Sequence, residues 1–197
     1  MPIAKSKMGE SVQASVGVSA QDETHVGLGG VFKVTCFDKE GNLKWEDEFH
    51  NLVMNVGLQD LNTKYFKGSA YTAAWYLGLV TGPGSGTTYN ATDTMSSHTW
   101  TEFTNYTGTD RSLMSFGSAT NANPSVILNS TGTGGSPAVY TINSSGGTIA
   151  GAFLTTGQVK SGTTGILFSA GDFSGGDKIV ASGDTVNVTY TFNATAT

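Results

Sequence analysis

The sequence predicts an all-β fold: a β-sandwich of jelly-roll or Greek-key type, with one short helix packed on or capping the sheets and an N-terminal arm. Three observations lead there. Short apolar-alternating runs recur, with turn signals roughly every 8–12 residues. Thr, Ser and Gly dominate, with 27 Gly; Thr favours strands, and Gly supplies the positive φ of tight turns. A single stretch, Trp45 to Val80, carries a helical period. There Met54, Leu58, Leu61 and Tyr65 fall at i, i+4, i+7 and i+11, on one helical face.

The elements follow in order. Residues 1–27 are small and polar, and such a segment buries too little to order itself; it is expected to be a flexible arm. A single sandwich domain over 28–197 follows. From Gly30, Phe32, Val34 and Cys36 alternate with Val31, Lys33, Thr35 and Phe37, Asp38-Lys-Glu-Gly-Asn42 makes a turn, and Leu43 to Phe49 returns as a second strand. Asn51 and Asn55 are the two candidate N-caps of the helix, and Gly68 is its expected stop. The helical face is expected to pack on Trp75, Leu77 and Leu79 of the next strand. Thr81 to Thr94 reads as a solvent-facing loop. Strand character resumes at 100–106, 111–116, 125–129, 138–142, 148–155, 165–169, 178–181 and 185–192. In the last, Val186, Val188, Tyr190 and Phe192 alternate with Thr and Asn, giving one buried and one wet face.

Composition narrows the partners. The net charge is −5, with one Arg and nine Lys, so no basic face exists to neutralise phosphates and nucleic acid is not an expected partner. Cys36 is the only cysteine, which rules out an internal disulfide and reads as a buried inert thiol. The first residues lack the apolar core of a secretory signal, and no run approaches the ~20 apolar residues of a membrane span. Synthesis in the cytoplasm, no membrane and no cofactor are the expectations. The Asn-x-Ser/Thr sequons then reflect Ser/Thr-rich composition.

Motifs that mark catalysis are missing from the sequence. No phosphate-binding GxxxxGK[ST] loop and no G-x-S-x-G elbow occurs, and His25, His50 and His98 lie in no metal-ligand spacing. Glu46, Asp47 and Glu48 read as a solvated edge strand whose charges discourage aggregation. No catalytic, cofactor-binding or metal residues are assigned. The most informative polar residue is Arg111, the sole arginine, entering an apolar strand with Glu102 one strand earlier. A partly buried ion pair across a hairpin is the expected role, with capture of an acidic ligand the alternative. Tyr71, Trp75, Tyr76, Tyr89 and Trp100 are candidates for a glycan platform, although strand aromatics more often serve the core.

Several short segments, taken in order, resemble a known group. These are Gly30-Val-Phe-Lys-Val before Asp38-Lys-Glu-Gly-Asn, Asn51-Leu-Val-Met-Asn-Val-Gly-Leu58, Trp75-Tyr-Leu-Gly-Leu79, and Glu102…Tyr106…Arg111. Gly147-Thr-Ile-Ala-Gly-Ala-Phe-Leu154 and Gly183-Asp-Thr-Val-Asn-Val-Thr-Tyr190 complete the series. The chain resembles small tailed-bacteriophage virion structural proteins of the capsid decoration (cement) or head-fibre type. That resemblance implies a non-enzymatic β-sandwich subunit made in the host cytoplasm and carried on the capsid exterior. Its implied partners are the major capsid protein and its own copies, as a dimer or trimer. The alternative it leaves open is a tail- or head-fibre-associated adhesin that binds host surface glycans.

Overall fold

The structure, a computed structural model, describes residues 26–71, 74–83 and 88–196. The expected arm, 1–27, lies outside the described residues except at its end. There β1 (Val26–Phe37) already begins at Val26, so the sandwich starts before residue 28. It is an all-β sandwich of two antiparallel sheets with a single short α-helix among the described residues.

The first sheet is built on the pairing of β1 with β12 (Thr185–Ala196), in register from Val26↔Ala196 to Phe37↔Thr185. The hairpin partner β2 (Leu43–His50) lies on the far side of β1. On the other flank, β7 (Ser125–Leu128) and β8 (Ala138–Thr141) pair with opposite ends of β12. The second sheet centres on β9 (Gly147–Thr155), between β4 (Trp75–Thr81) and β10 (Leu167–Asp172). Short strands complete its flanks: β3 (Leu52–Val53), β5 (Glu102–Phe103), β6 (Ser112–Met114) and β11 (Lys178–Val180). A 3-10 turn covers Thr131–Thr133.

Phe32, Val34 and Cys36 of β1 and Val186, Val188 and Tyr190 of β12 meet Leu77, Leu79, Ala152 and Leu154 of the second sheet. Burying each large apolar side chain there contributes about 1.5–3 kcal/mol. Tyr140 Oη donates to the Leu77 carbonyl at 2.6 Å, tying the layers together. Tyr190 lies across Gly30, where a Cβ would stand 2.3 Å from the phenol oxygen. Only glycine leaves that space.

The second sheet is apolar on both faces. Seven of the nine residues of β9 are buried in succession, as a strand covered on both sides requires. Its outer face is roofed by a second cluster of Met54, Met95, Trp100, Val80, Phe153, Leu167 and Ala170. Part of the segment expected to be a solvent-facing loop therefore serves as a lid, continued by the buried Met95 just beyond it: Asp93 is buried and Tyr89 packs against the cluster.

The helix α1 spans Asn55–Tyr65, and its docking differs from the expected face. Met54 occupies the N-cap position without a side-chain cap bond; Asn55 is already helical, and Asn51 instead donates to Tyr190 Oη at 2.9 Å. The one buried helical residue is Gly57, whose missing Cβ would lie 2.8 Å from the Phe168 carbonyl oxygen. The helix therefore approaches β10 through a glycine. Met54 is buried in the outer cluster and does not join Leu77 and Leu79, while Leu58 and Leu61 are half-buried. Tyr65 is 80% exposed, so it does not belong to the core. A helix held at its first turn by Gly57 leaves its last turn clear of the sheet.

A candidate docking cleft beneath the helix

The raised last turn of α1 opens a cavity of about 380 Å³ at one end of the sandwich, within the ~300–1,000 Å³ range of ligand pockets. One wall is helical, with Asp60, Leu61, Lys64 and Tyr65. The opposite wall is the end of the first sheet, with Ile127, Tyr190 and Phe192. Trp75, Phe116, Leu154 and Phe168 form the floor and Tyr71 the rim. Edge-to-face contacts order the aromatics: Trp75 on Phe168 at 5.5 Å between ring centroids, and Phe168 on Phe192 at 5.6 Å. Tyr65 and Phe66 stand edge to face at 5.0 Å and are 80% and 77% exposed.

The polar groups of Trp75, Tyr71, Lys64 and Asp60 at the cleft are already engaged locally. Trp75 Nε1 donates to Tyr71 Oη at 2.8 Å. Lys64 Nζ donates to the Ala70 carbonyl at 2.8 Å and lies 4.0 Å from Asp60 Oδ1. The cleft is chemically an apolar trough with a neutral, internally paired rim.

Of the proposed glycan platform, Tyr71 and Trp75 border this cleft. Tyr89 and Trp100 pack in the outer cluster instead, 6.3 Å apart. Tyr76 is half-buried on β4. The five aromatics do not form one surface.

Glu102 and Arg111 are brought together elsewhere. Arg111 Nε donates to Glu102 Oε1 at 3.0 Å and Nη2 to Oε2 at 2.8 Å, with both side chains almost fully buried. β5 and β6 lie end to end along β4 and do not pair with each other, so the pair closes the neck of the 104–111 excursion and spans no hairpin. Nη1 and Nη2 also donate to the carbonyls of Gly157 and Gly162, and the Ser161 amide donates to Glu102 at 2.7 Å. The pair thus staples the 157–162 loop onto the sheet. With those bonds made, the guanidinium has little left to offer an acidic ligand.

The acidic run of β2 divides by strand alternation. Glu46 and Glu48 are exposed, but Asp47 is buried. Asp47 accepts from the Ser174 amide and hydroxyl, from the Gly175 amide, and pairs with Lys178 at 3.2 Å. Burial pushes its carboxyl up, but these bonds outweigh that and hold it below the ordinary value. Asp184 anchors another turn, accepting from the Ala181 amide and from Lys44. Both anchors escaped sequence reasoning because their partners lie more than a hundred residues away or in a turn without a signature.

Cys36 is buried between the sheets, and burial, together with the Asp184 carboxylate, pushes its thiol up to about 12. His98 stacks flat on Trp100 at 3.6 Å, and burial lowers its pKa despite the Trp100 carbonyl at Nδ1. His50 is exposed and His25 lies outside the described residues. Among the described residues no cluster of three or more His, Cys, Asp or Glu could hold a metal, and no helix is long and apolar enough to cross a membrane.

Comparison with protein-family models, with curated proteins and with solved structures found no match to this chain.

Proposed function

We propose that this chain is a non-enzymatic structural protein of a tailed-phage virion, a capsid decoration (cement) protein that binds the outside of the head and bridges capsid subunits. The observation that carries this reading is the aromatic cleft at the end of the sandwich. Its rim groups are paired among themselves, so it suits burial of apolar protein side chains better than a reaction. The polar residues singled out elsewhere, Glu102, Arg111, Asp47 and Asp184, each tie a loop to a sheet. The resemblance of residues 30–192 to phage virion proteins supplies the setting.

Mechanically, each subunit or small oligomer would add buried area across joints that carry the outward load of packed DNA. A modest interface repeated over a shell stabilises it through multivalency even when each contact is weak. The adhesin alternative draws on the exposed ring of Tyr65 and the neighbouring Tyr71. Sugar recognition also needs polar partners for hydroxyls, and the cleft offers few.

Quantitative gel analysis of purified virions tests the proposal. Hundreds of copies per particle are expected, with particles lacking the protein releasing DNA at lower temperature or on osmotic shock. Particles of normal stability that fail to adsorb to cells would make it an adhesin.

A further inference from the structure

The outer face of the first sheet carries polar side chains that are not tied to the rest of the chain. Val186 and Val188 point into the core. Asn187 and Thr189 of β12, with their cross-strand partners Thr35 and Lys33 of β1, therefore stand on the opposite face. The 130–137 loop borders that face, and its Ser130, Thr131 and Pro137 complete a groove of about 240 Å³. Among the described residues, the side chains of Thr35, Ser130, Thr131 and Asn187 make no hydrogen bond. Asn187 Oδ1 is buried without a donor, and a buried acceptor of that kind calls for a partner.

The groove is held in shape from behind. Asn129 is fully buried; it donates to the Ser136 and Val188 carbonyls at 3.2 Å each and accepts from the Tyr190 amide. Thr133 Oγ1 donates to the Leu128 carbonyl at 3.0 Å. These bonds fix both ends of the loop, so Ser130 and Thr131 can meet a ligand at little ordering cost.

The inventory of donors and acceptors selects the ligand. Hydroxyl groups donate and accept, whereas a carbonyl oxygen such as Asn187 Oδ1 only accepts. A carboxylate or sulfate has no proton to give that atom. Lys33, the one charged residue of the groove, already lies 3.8 Å from Glu46. Glu46 and Glu48 stand beside it on β2 and repel an anion. A cation finds no carboxylate lining the groove. Extended peptides dock on sheet edges and amphipathic helices in apolar grooves; this groove lies on a sheet face, and Pro137 is its one wholly apolar side chain. A neutral compound dense in hydroxyls fits it best.

We propose that this groove binds a neutral hexopyranose. Asn187 Oδ1 accepts from a sugar hydroxyl, the Thr35, Ser130 and Thr131 hydroxyls serve the others, and Pro137 packs on a C–H face of the ring. The groove and the aromatic cleft lie on opposite faces of the first sheet, so they do not compete. The inference is independent of the virion reading, because it concerns the purified chain alone.

Amide-resolved NMR titration of the full chain tests it, with glucose, galactose, mannose and N-acetylglucosamine as probes and sodium sulfate and triglycine as controls. At least one sugar is expected to give saturable shifts centred on Thr35, Thr131 and Asn187, lost in Asn187→Ala and in Thr131→Val. Each change removes a group that bonds to nothing in the chain, so native thermal midpoints are expected; if Asn187→Ala proves unstable, Thr131→Val in its exposed loop carries the test. Silence of these amides toward every sugar, or sugar shifts that persist in both variants, would refute the site. Shifts with sulfate or triglycine in place of the sugars would make it an anion or a peptide site and overturn the proposal.

Discussion

Arg111 and Glu102 meet side-on through two parallel hydrogen bonds of 3.0 and 2.8 Å, although Glu102 lies in β5, Arg111 immediately precedes β6, and those two strands never pair. The bond joins the start of β6 to β5 across the neck of an excursion, and the same guanidinium holds the Gly157 and Gly162 carbonyls. Phe153 lies 5.3 Å beneath it. Removing either partner strands a buried charge. Arg111→Ala and Glu102→Ala are each expected to destabilise by about 3–5 kcal/mol in denaturant unfolding, and a double apolar replacement to recover much of that. Single variants as stable as the native chain would mean that the pair is not desolvated.

Gly57, rather than the leucines, governs how the helix docks. Gly57→Ala forces a Cβ against the Phe168 carbonyl and is expected to destabilise by about 1–3 kcal/mol, as overpacking does. Leu61→Ala, at a half-buried cleft position, is expected to lose only about 1 kcal/mol, below the ~2–5 kcal/mol of a buried leucine. Thermal midpoints of the two variants give the order directly. The reverse order would place the helix face on Leu61.

Asp47 contributes a definite pH dependence. Its folded pKa lies below its unfolded value, so its stabilisation is fully present above the ordinary carboxylate range. It is lost as pH falls through the unfolded value, near 3.9, toward the folded one. Asp47→Asn is expected to lower stability at pH 7 and to reduce the loss on acidification, measured as denaturation midpoints from pH 7 to pH 3. An unchanged acid limb would show that Asp47 titrates as an exposed carboxylate.

Cys36 is expected to resist thiol reagents in the native protein at pH 8, since burial raises its pKa to about 12 and closes access. One thiol per chain should react on unfolding. Rapid native labelling would mean that the sheets separate readily around β1.

The elements whose period lies within a few residues were legible. The alternation of Phe32, Val34 and Cys36, the Asp38–Asn42 turn and the long wet-faced strand at 185–192 all stand where local pattern placed them, and the helix lies in the stretch that carried its period, although it is capped at Met54 rather than at Asn51 or Asn55. The burial of Cys36 and the approach of Arg111 to Glu102 also stand where residue chemistry pointed. Long-range pairing was not legible. Nothing local says that β5 and β6 share one edge of β4, or that Asp47 holds a turn 127 residues away.

Sequence by itself determined the class of fold, because strand alternation, turn glycines and a single amphipathic stretch are properties of neighbouring residues. Tertiary structure alone decided which faces those elements bury. Tyr65 has the right helical spacing for a core residue, but the close approach at Gly57 fixes the tilt of the helix and lifts Tyr65 to the rim of the cleft. Spacing determines which side chains share a face, and only packing against a distant strand determines where that face points.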